Sequence, residues 1–214
     1  MSLLRRRGMM VGKSELPAGY KRCEYLQGLG DSRTYIVIPE LNIIYDTLFS
    51  ITVMYPKYTK DTNACGSLTG NVRFEQGIGW NGRNYQVNYI KGAKITSHGA
   101  TQEVKTTFTA YLPSNSKHKY PIITMNGVKV SYETYNSSSA TGAVRDVYLF
   151  GTNRGNIKRY FSGRIYGFYL EGQINLIPAL DRNDTPCMYD TVSKKPFYNA
   201  GSGEFLYELS PDRR

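Results

Sequence analysis

Hydrolysis of a glycosidic bond needs two carboxylates facing one bond with their pKa values held apart, often on alternate positions of one strand. The chain has no Glu-x-Asp-x-x-Glu arrangement, and the acids in its strand-like runs stand singly. His98 and His118 lie in polar stretches with no Ser or Cys elbow, so nucleophilic catalysis has neither its base nor its nucleophile in view. Asp181, Asn183 and Asp184 in "DRND" offer hard oxygens for a cation, but the stretch reads equally as an Asp/Asn turn and lacks the ligand spacing of an EF-hand loop. Binding chemistry remains. Trp80, Asn81 and Arg83 meet at one hairpin tip, with Glu75, Gln86 and Asn88 on the polar face below, a grouping of ring, amides and charges that suits a shallow glycan site. The alternative for Trp80 is a ring at the edge of the core, because its register continues the apolar face. No enzymatic activity, metal or cofactor is expected.

The second group of residues is basic. Of a net charge of +10, half lies in residues 1 to 22, where Arg5, Arg6, Arg7, Lys13, Lys21 and Arg22 oppose Glu15 alone. Such an arm suits an acidic protein surface, nucleic acid or anionic lipid, and charge alone does not separate the three. Leu3, Leu4, Met9 and Met10 flank the arginines and supply apolar anchors for docking on a partner. Twelve extended residues reach at most about 36 to 43 Å, far enough to lie along a neighbouring subunit. Basic and aromatic residues also interleave in "NRGNIKRYFSGRIYGFY". In a strand beginning near Tyr160, Phe161, Gly163 and Ile165 share one face and Arg164, Tyr166 and Phe168 the other. Core aromatics with an exposed basic edge explain this as well as a nucleic-acid surface does, and no recognised module accompanies the charge. Nucleic acid is not the expected partner.

The elements that must position these groups are strands. Apolar residues alternate at Phe49, Ile51 and Val53 and at Phe108, Ala110 and Leu112, the period of a half-buried strand. Two Asn-Gly pairs suit type I′ turns. A turn at Asn81-Gly82 sets Ile78 opposite Tyr85, Gln76 opposite Val87 and Phe74 opposite Tyr89, a mostly apolar face, and leaves Glu75 with Asn88 and Gly77 with Gln86 on an open one. Asn126-Gly127 pairs Met125 with Val128 and Ile123 with Val130. No run of ten residues has helical apolar spacing, and turn signals recur every 8 to 15 residues, so the expected fold is an all-β, two-sheet antiparallel sandwich. The 214 residues suit one such domain. Three cysteines, Cys23, Cys65 and Cys187, leave at least one thiol unpaired and show no zinc spacing. No apolar h-region follows the basic N-terminus and no stretch is long enough to span a membrane, so neither a cleaved signal nor a membrane span is expected.

Three stretches together resemble one family. "LPAGYKRCEYLQGLGDSRTYIVIPEL" is similar to its opening strands, and "YFSGRIYGFYLEGQINLIPAL" to the Phe-x-Gly-x-Ile-Tyr strand before its last segment. The ending resembles its closing pattern through Met188, Tyr189, Asp190, Phe197, Tyr198, Asn199, Gly201, Gly203 and Phe205. The family is the concanavalin A-like or laminin G-like jelly-roll domain that recurs in surface proteins of bacteriophages and prophages. Two departures are "VIPELN", where the family commonly has Asp-Thr-Gly, and "DRNDTP", where it has a Gly-containing turn. The resemblance implies a basic arm over residues 1–15, a sandwich over 16–209 and a polar tail over 210–214. It further implies a non-enzymatic capsid decoration, head-fibre or tail component on the virion surface, assembled in the host cytoplasm. Its partners would be other virion proteins, held through the arm in an oligomeric assembly, and host glycans. The alternative is a carbohydrate-binding adhesion module on a bacterial surface. On this reading the ending is a clasp over the sandwich: Asp190 caps a turn, Pro196 fixes a bend, the two glycines give backbone freedom, and Phe197, Tyr198 and Phe205 anchor the segment.

Overall fold

Alternation does most of the folding here, because a period of two sends every second side chain to the same face of a strand. The computed structural model describes residues 16–67, 73–78, 84–111, 113–114, 121–136, 142–154 and 157–211. Its strands are β1 (Lys21–Gln27), β2 (Ile36–Ile44), β3 (Leu48–Met54), β4 (Thr62–Ser67), β5 (Arg73–Ile78), β6 (Asn84–Gly99), β7 (Thr106–Tyr111), β8 (Ile122–Met125) and β9 (Val128–Lys129). They continue with β10 (Tyr132–Asn136), β11 (Gly142–Leu149), β12 (Asn153–Arg154), β13 (Ile157–Lys158), β14 (Arg164–Leu170), β15 (Ile174–Leu180), β16 (Pro186–Asp190), β17 (Pro196–Tyr198) and β18 (Leu206–Leu209).

These form two sheets. One has ten strands in the order β17-β16-β15-β1-β14-β3-β7-β8-β9, with β18 added to β1; the other has eight, in the order β10-β6-β5-β4-β11-β2, with β12 and β13 attached. Among the described residues pairing is antiparallel except for one parallel bridge, Asn153 with Ser67. The expected two-sheet antiparallel sandwich is the observed one. Between the sheets, Phe49, Ile51 and Val53 of β3 and Phe108 and Ala110 of β7 meet Phe74 and Ile78 of β5 and Tyr85 and Val87 of β6 in one core. Rings join across the gap: Phe49 lies 4.8 Å from Phe74 and Tyr85 lies 4.7 Å from Phe108, both edge to face. Such contacts add about 0.5–1.5 kcal/mol each beyond burial.

Both hairpin registers agree with the sequence. Ile78 pairs with Tyr85 and Glu75 with Asn88. At Asn126 and Gly127, φ is 50° and 80°, the two positive values a type I′ turn needs, and Met125 pairs with Val128. Leu112 and the Asn81-Gly82 turn lie outside the described residues.

The face expected of β14 is corrected. A bulge between Ile165 and Gly167 shifts its pairing with β3, so Ile165 opposes Val53 while Phe168 opposes Ile51. The extra residue restores Phe168 to the core side beside Ile165, and both are buried. Tyr166 and Arg164 stay on the outer face.

Candidate functional site

Trp80, Asn81 and Arg83 lie outside the described residues, as do Leu3, Leu4, Arg5, Arg6, Arg7, Met9 and Met10. The polar face beneath the hairpin tip is not open. Glu75 is only 2% exposed and Asn88 fully buried, while Gln86 is half-buried. The neighbouring strand β4 is covered on this face as well, where Thr152 packs over Asn63 and Gly66. Glu75 is held there by amides, accepting from Asn63 Nδ2 at 2.8 Å and from Asn88 Nδ2. A buried carboxylate needs such donors, and these spend both of its oxygens inside the fold. Glu75 and Asn88 are therefore internal polar packing and cannot meet a glycan at the surface.

"DRND" is a turn. Asp181 accepts from the backbone N–H groups of Asn183 at 2.8 Å and Thr185 at 2.9 Å, and from the Tyr198 hydroxyl at 2.9 Å. These bonds hold its carboxyl below the ordinary range. Lys21 pairs with Asp184 at 2.6 Å. Among the described residues no cluster of His, Cys, Asp and Glu is arranged to hold a metal.

A cleft opens instead on the outer face of the ten-stranded sheet. It has a volume of about 720 Å³ and is lined by Arg22, Cys23 and Glu24 of β1, Thr52 of β3, Tyr166 of β14 and Pro178 of β15, together with Lys105, Ser210 and Pro211. The alternation that buries Ile51, Val53 and Phe108 turns Thr52 and Thr107 outward, where their hydroxyls bond at 2.8 Å. Thr109 and Thr124 repeat the pair one step along.

Cations and rings alternate beside the cleft. Arg164 lies 4.2 Å over the ring of Tyr25, Tyr25 meets Tyr166 edge to face at 5.6 Å, and Lys105 lies 4.1 Å over Tyr166. Arg164 is also tied to Gln27 at 3.1 Å, and Lys105 to Glu24 at 3.5 Å. Burial, then a hydrogen bond to Glu208, raises the Tyr25 phenol, so it is a neutral donor at physiological pH. Burial likewise pushes the Cys23 thiol up to about 11, which removes it as a nucleophile at the cleft floor. Glu24 is the one carboxylate among the described residues that line the cleft. The arrangement offers cations, hydroxyls and ring edges to a ligand, without the paired carboxylates that glycosidic hydrolysis requires.

The closing segment is a clasp, as the sequence suggested, but its pin is Asn199. Its Oδ1 accepts from Tyr35 N and Gly201 N at 3.0 Å each, and its Nδ2 donates to Arg33 O at 2.7 Å and Gly203 O at 2.6 Å. Asp190 caps its turn by accepting from Val192 N, Ser193 N and Asn175 N. Gly201 serves close approach: a Cβ there would stand 2.3 Å from Arg33 O. Phe205 is buried, Phe197 packs on the core edge, and Tyr198 is 43% exposed with its hydroxyl on Asp181.

No protein-family model matches the chain, and no curated protein matches it. Among solved structures the chain is similar to the mouse laminin alpha1 chain, domains LG4-5, with a TM-score of 0.47 and 16% sequence identity over 88% of this chain and 48% of that one. The chain spans about half the length of that structure.

Proposed function

We propose that this chain is a non-enzymatic binding module on the surface of a phage-type particle, a capsid decoration, head-fibre or tail component. Its basic arm docks on neighbouring virion proteins and its sandwich presents the cleft face to host glycans. The observation that carries the binding role is the cleft itself, lined by Arg22, Lys105, Thr52 and Tyr166, with Glu24 the one carboxylate among its described lining residues. Concave sites with a few convergent polar groups are where ligands are held. The particle setting rests on the resemblance of the opening, penultimate and closing stretches to phage surface domains, and on the charge gathered ahead of the sandwich. Placed on a bacterial surface instead, the same cleft would serve an adhesion module.

Two measurements test this reading. Mass spectrometry of purified particles and of host-surface fractions finds the polypeptide with the particles if the proposal holds; recovery in the surface fraction alone favours the adhesion module. On a glycan array, the domain lacking its arm retains saccharide binding. An array blank for neutral and acidic sugars alike removes the glycan role.

A further inference from the structure

Resting on the cleft as a saccharide site, we propose that its ligand carries a carboxylate, as a uronic acid does, and that Arg22 is the group that grips it. The other cations around the cleft are engaged. Arg164 is held by Gln27 and the Tyr25 ring, and Lys105 by Glu24 and the Tyr166 ring. Three cations farther from the cleft are also paired, Lys21 with Asp184, Arg33 with Asp31, and Arg159 with Asp61. Arg22 lines the cleft with an exposed side chain, and no side chain of the described residues bonds to its guanidinium.

Its backbone, by contrast, is fixed. Arg22 stands opposite Ala179 of β15, and its carbonyl accepts from Ser210 N at 3.0 Å. A planar guanidinium on a fixed strand presents a fork of donors that matches both oxygens of a carboxylate. Lys105 adds a second cation over the same space. Its partner Glu24 is long at 3.5 Å, and the two side chains are 53% and 41% exposed, so the pair is weak and an incoming carboxylate can take Glu24's place. Thr52 and Ser210 offer hydroxyls to the rest of a sugar, and Pro178, Pro211 and the Tyr166 ring offer apolar surface to its C–H face.

The test uses the full chain and calorimetry against polygalacturonate, alginate and hyaluronan, with methyl-esterified polygalacturonate, dextran sulfate and poly-glutamate as controls. At least one uronate polymer binds. Neutralising its carboxylates weakens binding at least about tenfold, the size expected for one lost charge-assisted contact. Arg22→Ala does the same at an unchanged melting temperature, and Arg22→Lys recovers only part, because an ammonium cannot form the fork. If the uncharged polymer binds as well as the charged one, or if Arg22→Ala changes nothing, the carboxylate assignment is wrong while the saccharide reading stands. If dextran sulfate or poly-glutamate binds through Arg22 as tightly as a uronate, the cleft is a general polyanion surface and the assignment is again wrong. If no saccharide binds, charged or neutral, both readings fall.

Discussion

Replacing Asn199 by alanine removes four hydrogen bonds at once, two accepted by its Oδ1 and two donated by its Nδ2. Each is worth about 0.5–1.5 kcal/mol net, and because the residue is only half-buried the lower half of that range applies. The bonds link Tyr35 and Arg33, at the entry to β2, with the chain after β17, so they close a contact between residues more than 160 positions apart. A loss of about 2–4 kcal/mol follows, which for a domain of this size is roughly 4–16 °C in melting temperature. Urea titration and thermal melts of Asn199→Ala read this directly. Asn199→Asp sharpens the test: it keeps the acceptor but turns a carboxylate oxygen toward the carbonyls of Arg33 and Gly203, and is expected to cost at least as much as alanine. A loss below about 1 kcal/mol for alanine, or a milder effect for aspartate, would show that Asn199 does not hold the clasp.

Three further outcomes follow from the same geometry. Gly201→Ala forces a Cβ to within 2.3 Å of Arg33 O and 2.7 Å of Ser32 O, so one segment must shift; a loss of about 1–3 kcal/mol is expected in urea, and an unchanged midpoint would mean the approach is looser. Burial raises all three thiols, Cys23 to about 11 and Cys187 to about 12, so the native protein should not react with a thiol reagent at pH 8 while the denatured chain reacts at every cysteine; rapid native labelling would contradict their burial. Backbone hydrogen bonds from Thr185 and Asn183 lower the Asp181 pKa from its ordinary 3.8. Its contribution is then fully present above that value and lost as pH falls through the lowered one, so acid melts of Asp181→Asn should decline less steeply below about pH 4 than those of the wild type; parallel curves would refute the coupling.

Local pattern carried much of this fold. Asn126-Gly127 set its hairpin because only residues tolerant of positive φ close a two-residue loop, and alternation placed Phe49, Ile51, Val53 and Phe108 in the core because nothing interrupts the pleat of β3 or β7. Where a non-local event intervened, the pattern misled. The bulge at Tyr166 and Gly167 moved Phe168 from the outer face to the inner one, and no residue type in "GRIYGFYL" marks it except the glycine, which is also common in unbulged strands. Glu75 and Asn88 look solvent-facing by alternation, yet both are buried, with Asn63 bonded to both Glu75 and Thr152 beside them. The cleft was least legible, since Arg22, Thr52, Lys105, Tyr166, Pro178 and Ser210 are brought together by strand order alone. Its one local hint was the outward placing of Arg164 and Tyr166. Asn199 stood in the closing pattern, but its role as the pin needed both ends of the chain in view.

Incorporation into particles decides whether this chain is a binding module carried there by its arm. Particles are purified from cells producing either the full chain or a chain lacking residues 1–12, and the polypeptide is quantified by mass spectrometry alongside the melting temperature of each purified protein. The full chain is expected in particles, and the truncated chain is expected to be absent from them at a nearly unchanged melting temperature. Equal amounts of both chains in particles would contradict it by assigning attachment to the sandwich, and absence of the full chain would contradict the particle setting altogether.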